Sequence, residues 1–238
     1  AKLFALAEDL DLVFAGQKTL GDLLGQFLSG SGMSIYGGLI LGFIVCYIFM
    51  RRNNMSILPM MDAVAPGLMV SYGVGRLGCQ FSGDGDWGIP IRKIAGDGTV
   101  LWDYQKPSWF PDFLWGQTYP HNVINEGEPM ANCTWNYCME LAIPVFPTPL
   151  YEFVAAIAIG AFLWSIRKRI SIPGLLFFIY VILNGIERFW IEKIRINEQT
   201  EYLGIESTQA ERIAVILFLI GIAGALWLWM RGRKTVKA

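Results

Sequence analysis

The chain has 238 residues, of which 54% are hydrophobic and only 16% charged, well below the roughly 25% charged residues of ordinary soluble proteins. Its 19 basic and 20 acidic side chains leave a formal net charge of −1, which argues against the basic face of a nucleic-acid binder. A mean hydropathy of +0.42 argues against a disordered chain, and an aromatic content of 14% with 26 glycines suits a helical membrane protein better than a soluble enzyme.

In chain order, Ala1–Ala7 (AKLFALA) reads as the tail of an apolar segment. It lacks the charged start and cleavage site of a signal peptide, and upstream helices are expected before it. The first candidate crossing is Met33–Met50, closed by Arg51 and Arg52, and the second is Ile57–Phe81. A long insert over 88–146 follows, rich in Pro, Asn and Trp, including Trp102, Trp109, Trp115 and Trp135. Pro147–Ile166 is the third crossing, closed by Arg167, Lys168 and Arg169, and Ile172–Ile191 is the fourth. The segment Asn197–Glu211 carries Glu198, Glu201, Glu206 and Glu211 with no Lys or Arg. Ile213–Met230 is the fifth crossing, closed by Arg231, Arg233 and Lys234.

A hydrocarbon core needs about 17–25 mostly apolar residues per helix. Only Asp62, Arg76, Glu152, Glu187 and Arg188 lie within these five stretches, five of the 39 charged residues. Long apolar runs without alternation imply helices and not barrel strands. The expected fold is therefore all-α: one polytopic membrane domain over 1–238 with about five helices. The three basic clusters close the odd crossings, which places those ends in the cytoplasm and the insert 88–146 outside.

Cys46 lies mid-crossing and reads as a buried small hydrophobe. Cys133 and Cys138, in CTWNYC within the insert, can pair locally in an oxidising compartment. With one histidine, His121, and no second cysteine pair, no metal site is expected. His121 reads as a surface loop residue.

Placed in depth, the polar residues of the crossings gather toward one leaflet: Tyr36, Arg76, the turn Ser82–Gly88, Tyr151 and Glu152, then Glu187, Arg188 and Glu192. Arginine forks bind phosphate oxygens in pairs and stabilise charge on a departing phosphate. Arg188 and Glu192 stand four apart on one helical face, and Arg195, one more turn on, continues the same stripe. Gly73, Gly75 and Gly78 allow close approach of a neighbouring helix or a lipid headgroup. A purely structural Arg–Glu lock between helices is the competing reading.

Several blocks stand out: Ser34–Ile40 (SIYGGLI), Gly75–Cys79 (GRLGC) followed by Ser82–Gly88 (SGDGDWG), Pro147–Glu152 (PTPLYE), and Glu187–Arg195 (ERFWIEKIR). Together they resemble the prolipoprotein diacylglyceryl transferase family. The resemblance runs in family order from about Met33 to Asn197. It implies a multi-pass enzyme of the bacterial inner membrane with its site toward the extracytoplasmic leaflet. The enzyme would move the diacylglyceryl group of phosphatidylglycerol to the lipobox cysteine of a prolipoprotein signal peptide. A thioether forms, glycerol phosphate leaves, and no cofactor is required. Carried over by position, Arg76 matches the arginine that binds the lipid phosphate, Arg188 a second essential arginine, Glu192 its companion and Gly88 the closing glycine. Gly78, Tyr151, Asn184 and Arg195 join them as expected substrate-binding positions.

The sequence departs from the family pattern where Tyr36 replaces a histidine expected to take the thiol proton. A tyrosine, with a pKa near 10, is a poor base at neutral pH. The proton then passes to Asp84 or Asp86, or the thiol ionises beside Arg76 and Arg188. Cys79 also stands for an asparagine, Phe146 and Pro149 for His and Gln, and Asn184 for a tyrosine. The alternatives are an inactive lipid- or lipoprotein-binding relative, or a small-solute transporter, whose polar residues belong at mid-depth beside broken helices.

Overall fold

The computed structural model describes residues 35–96, 98–195, 200–202 and 205–236. Ala1–Ala7 and the beginning of the first expected crossing, Met33 and Ser34, lie outside the described residues. The chain divides into two compact units, Ala1–Met60 and Met61–Ala238.

In the first unit, α1 (Ile35–Arg52) ends on Arg51 and Arg52, where basic side chains complement the negative end of the helix dipole. Asn54, at φ 51°, turns the chain after it. Cys46 is exposed on α1 and not buried as its apolar surroundings suggested. Its neighbours Ile44, Val45 and Ile48 are exposed as well, a surface that suits acyl chains.

Helix α2 (Ile57–Ser82) has 26 residues with Pro66 inside. The insert then forms three small pieces: an antiparallel pair, β1 (Arg92–Ile94) with β2 (Val100–Asp103); a single turn, α3 (Asp112–Trp115); and a second pair, β3 (Glu128–Pro129) with β4 (Met139–Glu140). Its core is Trp87, Tyr119, Leu141 and Val145, with the Trp87 and Tyr119 rings 5.0 Å apart. Cys133 and Cys138 form a disulfide, so the local pairing read from CTWNYC is present. His121 stacks on Trp135 at 4.5 Å beside it, a structural loop position.

Helices α4 (Thr148–Ile166) and α5 (Leu175–Glu192) follow. A hairpin of β5 (Thr200–Tyr202) and β6 (Ile205–Ser207) precedes α6 (Gln209–Val236). The fourth helix starts at Leu175 and not at Ile172, because Pro173 and Gly174, the latter at φ 88°, break the chain there. The fifth begins four residues before Ile213, on a reciprocal cap: Thr208 Oγ1 accepts from Glu211 N at 3.1 Å, and Glu211 Oε2 accepts from Thr208 N at 3.2 Å.

Small residues set the helix crossings. A Cβ on Gly73 would stand 2.9 Å from Ala156 Cβ, and one on Gly160 would stand 2.8 Å from Val70, so α2 and α4 approach through backbone. Gly185, Gly221 and Gly224 do the same between α5 and α6. Asp62 accepts from Gly174 N at 2.6 Å and from Phe177 N at 2.9 Å. This charge, isolated in the sequence, caps α5 and ties it to α2.

The protein is a helical membrane protein. Among the described residues, Ile57–Ser82, Thr148–Ile166 and Gln209–Arg231 are long and apolar enough to cross a bilayer. The other two expected crossings also fold as helices, α1 and α5, of 18 residues each.

Candidate active site

The site grows from the ends of three helices. The last turns of α2 carry Tyr72 and Arg76, the second turn of α4 carries Glu152, and the last turns of α5 carry Glu187, Arg188 and Glu192. Glu152 is the hub and is 0% exposed. Its Oε2 accepts from the Tyr72 hydroxyl at 2.5 Å and pairs with Arg76 Nε at 2.5 Å. Arg188 Nη1 stands 3.7 Å from Oε2, and Arg195 Nη1 stands 3.7 Å from Oε1. One carboxylate thus gathers three guanidinium groups, which would otherwise repel one another at low dielectric.

Asp86 closes the ring from the insert side. It accepts from Arg76 Nη1 and from Arg195 Nη2. Burial alone would raise its pKa, but Arg195 and Arg76 hold the carboxyl below the usual range. The Thr148 hydroxyl donates to the Asp86 carbonyl at 2.7 Å and fixes the turn. Glu192 pairs with Arg188 at 3.4 Å, as the i, i+4 spacing predicts.

Arg195 reaches the cluster by a different route from the expected one. Helix α5 stops at Glu192 and Lys193 caps it, so no helical stripe runs on to Arg195. The chain instead turns, and Arg195 pairs with Gly88 in an isolated β-bridge. Gly88 is needed there because a Cβ would fall 2.6 Å from the Ile194 carbonyl and 2.8 Å from Thr148. Its N–H donates to the Phe146 carbonyl at 2.8 Å, so this glycine joins three segments.

The remaining sequence candidates divide. Asp84 is exposed and accepts from Asp86 N at 3.3 Å. Cys79, Asp84 and Asp86 bring ligand-type atoms within 4.8 Å of one another, but Asp86 gives both oxygens to guanidinium groups, whose charge repels a cation. Gly75 and Gly78 border open space on α2, so of the three glycines only Gly73 makes a close helix contact. The Tyr151 hydroxyl donates to the Leu114 carbonyl in the insert. Asn184 Nδ2 points toward Met69 Sδ at 3.8 Å. Neither side chain contacts the arginine cluster among the described residues. Tyr36 lies in α1, with its side chain outside the described part.

The sequence places Glu152 among the polar residues of one leaflet without marking it as catalytic or substrate-binding, and it does not single out Tyr72. Glu152 is adjacent to Tyr151 in the PTPLYE block and is the only charge in its crossing, a signal that was available. Tyr72 carries no such mark. Asn122 was also not foreseen: it is buried, and its amide bonds the carbonyls of Tyr119, Glu126 and Met139. A Cβ on Gly83 would stand 2.8 Å from Asn122 Cβ, so Asn122 packs directly against the turn leading to Asp86.

Two donors in this buried cluster, Arg188 Nη1 and Arg195 Nε, have no hydrogen-bond partner among the described residues. Buried guanidinium N–H groups left in that condition suit an anionic oxygen.

The sequence profile of the family described as prolipoprotein diacylglyceryl transferase matches residues 19–228. The chain belongs to this family. It is 30% identical over 212 residues to the phosphatidylglycerol–prolipoprotein diacylglyceryl transferase of Corynebacterium glutamicum, covering 87% of this chain and 58% of that protein. The enzyme of the same name from Lysinibacillus sphaericus is 28% identical over 87% of this chain and 64% of its own. That from Staphylococcus carnosus is 31% identical over 81% and 58%. The chain therefore spans less than two thirds of the length of these relatives.

Proposed function

We propose that the full-length protein is a phosphatidylglycerol–prolipoprotein diacylglyceryl transferase of the bacterial inner membrane. Partly buried arginines at and just beyond helix ends, with Arg188 Nη1 and Arg195 Nε buried and without a hydrogen-bond partner among the described residues, are the observation that carries this reading. A phosphodiester entering the cluster would meet guanidinium groups from α2, from α5 and from the segment after α5. The lipobox thiolate attacks the glyceryl carbon that bears the phosphate. The C–S bond forms as the C–O bond breaks, and the oxygen leaves with the electron pair on glycerol phosphate. That leaving group gains a negative charge, and preorganised guanidinium groups at low dielectric stabilise charge as it develops. Arg76 and Arg188 take this role, with Glu152 fixing their positions. Asp86, ionised between Arg76 and Arg195, is an anchor and a poor proton acceptor.

The basic clusters support an orientation with the arginine cluster and the segment 88–146 outside the cytoplasm. Complementation of a transferase-depleted bacterium by the full-length gene tests the reading. Restored growth and lipoprotein modification are expected, and both are lost with Arg76→Ala or Arg188→Ala. An expressed wild type that does not complement overturns it.

A further inference from the structure

One ionisable side chain in the cluster has no task in the reaction as described. Glu187 is 6% exposed, and neither of its carboxylate oxygens has a hydrogen-bond partner among the described residues. The groups that act on it are Tyr72 and Arg76 on α2, Glu152 on α4, and Arg188 on its own helix. The Tyr72 hydroxyl has a single proton, which it donates to Glu152. Every other carboxyl here is committed: Glu152 and Asp86 to guanidinium groups, Glu192 to Arg188, and exposed Asp84 to the Asp86 N–H.

A carboxyl kept in a buried site without a donor is a poor structural choice, since an unsatisfied polar group costs about 1–3 kcal/mol. It is a good choice for a group whose task is to receive a proton. We infer that Glu187 is the acceptor of the thiol proton, an inference that rests on the transfer reaction proposed above. As sulfur bonds to the glyceryl carbon, its proton moves to a Glu187 oxygen. The departing phosphate, now a monoester with a second negative charge, then takes that proton and returns Glu187 to its carboxylate. This supplies the function that Tyr36 is poorly suited to perform.

The test uses the full-length protein in vesicles of phosphatidylglycerol, with a lipobox peptide bearing the free thiol. Glu187→Gln is expected to lower kcat at neutral pH by about 100-fold or more, while KM for the lipid stays unchanged. Its residual rate should climb with pH through the ordinary thiol range near 8.5, where the wild type has already levelled off. Glu187→Asp, which keeps a carboxyl, should retain the wild-type pH profile at a reduced rate, and it carries the test if the Gln variant fails to accumulate. A Gln variant with wild-type kcat and pH profile removes Glu187 from the chemistry, and so does an Asp variant with an altered profile. An inactive wild type instead overturns the proposed function, and this inference with it.

Discussion

At the scale of single residues, the cluster is an exchange of charge around one buried carboxylate. Glu152 neutralises Arg76 and approaches Arg188 and Arg195, so removing its charge leaves guanidinium groups uncompensated away from water. Glu152→Gln is expected to destabilise the protein by about 3–5 kcal/mol, the usual cost of breaking a buried pair from one side. The loss would appear as a lower thermal midpoint in detergent, and part of it should be recovered on adding Arg76→Ala. A Gln variant as stable as wild type would contradict the hub. Asp86 makes a prediction with a definite pH sign. Its folded pKa is depressed by Arg195 and Arg76 against the opposing effect of burial. Its stabilisation is therefore fully present above the unfolded value near 3.9 and is lost as pH falls through the lower folded value. The stability gap between wild type and Asp86→Asn should hold from neutral pH to about 4 and close only below it. A gap that closes between pH 7 and 5 would show that Asp86 is not held by the arginines.

At the scale of elements, the arginines are only as well placed as the helices that carry them. Gly73 lies three residues before Arg76, and Ala156 lies four after Glu152, at the point where α2 and α4 touch. Gly73→Val should push the two helices apart, cost about 1–3 kcal/mol as overpacking, and reduce transfer more than stability alone explains. Gly75→Ala, where a Cβ meets open space, should fold normally and gain up to about 1 kcal/mol of helix propensity. Thermal midpoints of the two variants separate packing from propensity; equal midpoints would sink the close-approach argument. The difference between these glycines also marks what the sequence could convey. Apolar run length located the helices, and the Pro173–Gly174 break and the Thr208–Glu211 cap account for the shifted starts of α5 and α6. The spacing of Arg188 and Glu192 gave their pairing, because it depends only on helical geometry. The role of Arg195 did not follow from spacing, since α5 ends three residues earlier and a β-bridge to Gly88 supplies the position. Likewise the Glu152 hub depends on side chains 76 residues earlier and 36 later in the chain, a convergence that local periodicity does not encode.

At the scale of the second unit, its helical part has two chemically different ends. Helix α4, with 19 residues, is about 28 Å long, close to the roughly 30 Å of a hydrocarbon core. Arg76, Glu152 and Arg188 gather where α4 begins. Arg167, Lys168 and Arg169 follow where it ends, with the Arg167 guanidinium over the Trp164 ring, an arrangement suited to a membrane interface. Asp62 binds the start of α5, the helix that follows this basic segment. If the basic end is cytoplasmic, a cysteine there and one in the insert must label from opposite sides. In a background with Cys46 and Cys79 replaced by serine, Lys168→Cys should react with an impermeant maleimide only after the inner membrane is opened. Trp109→Cys, at a largely exposed site in the insert, should react in intact spheroplasts. The reverse pattern would put the arginine cluster in the cytoplasm, away from the compartment in which the Cys133–Cys138 bond persists. Labelling of both positions from one side would mean that α4 does not cross the bilayer, and the depth argument for a phosphate-binding site near its start would fail.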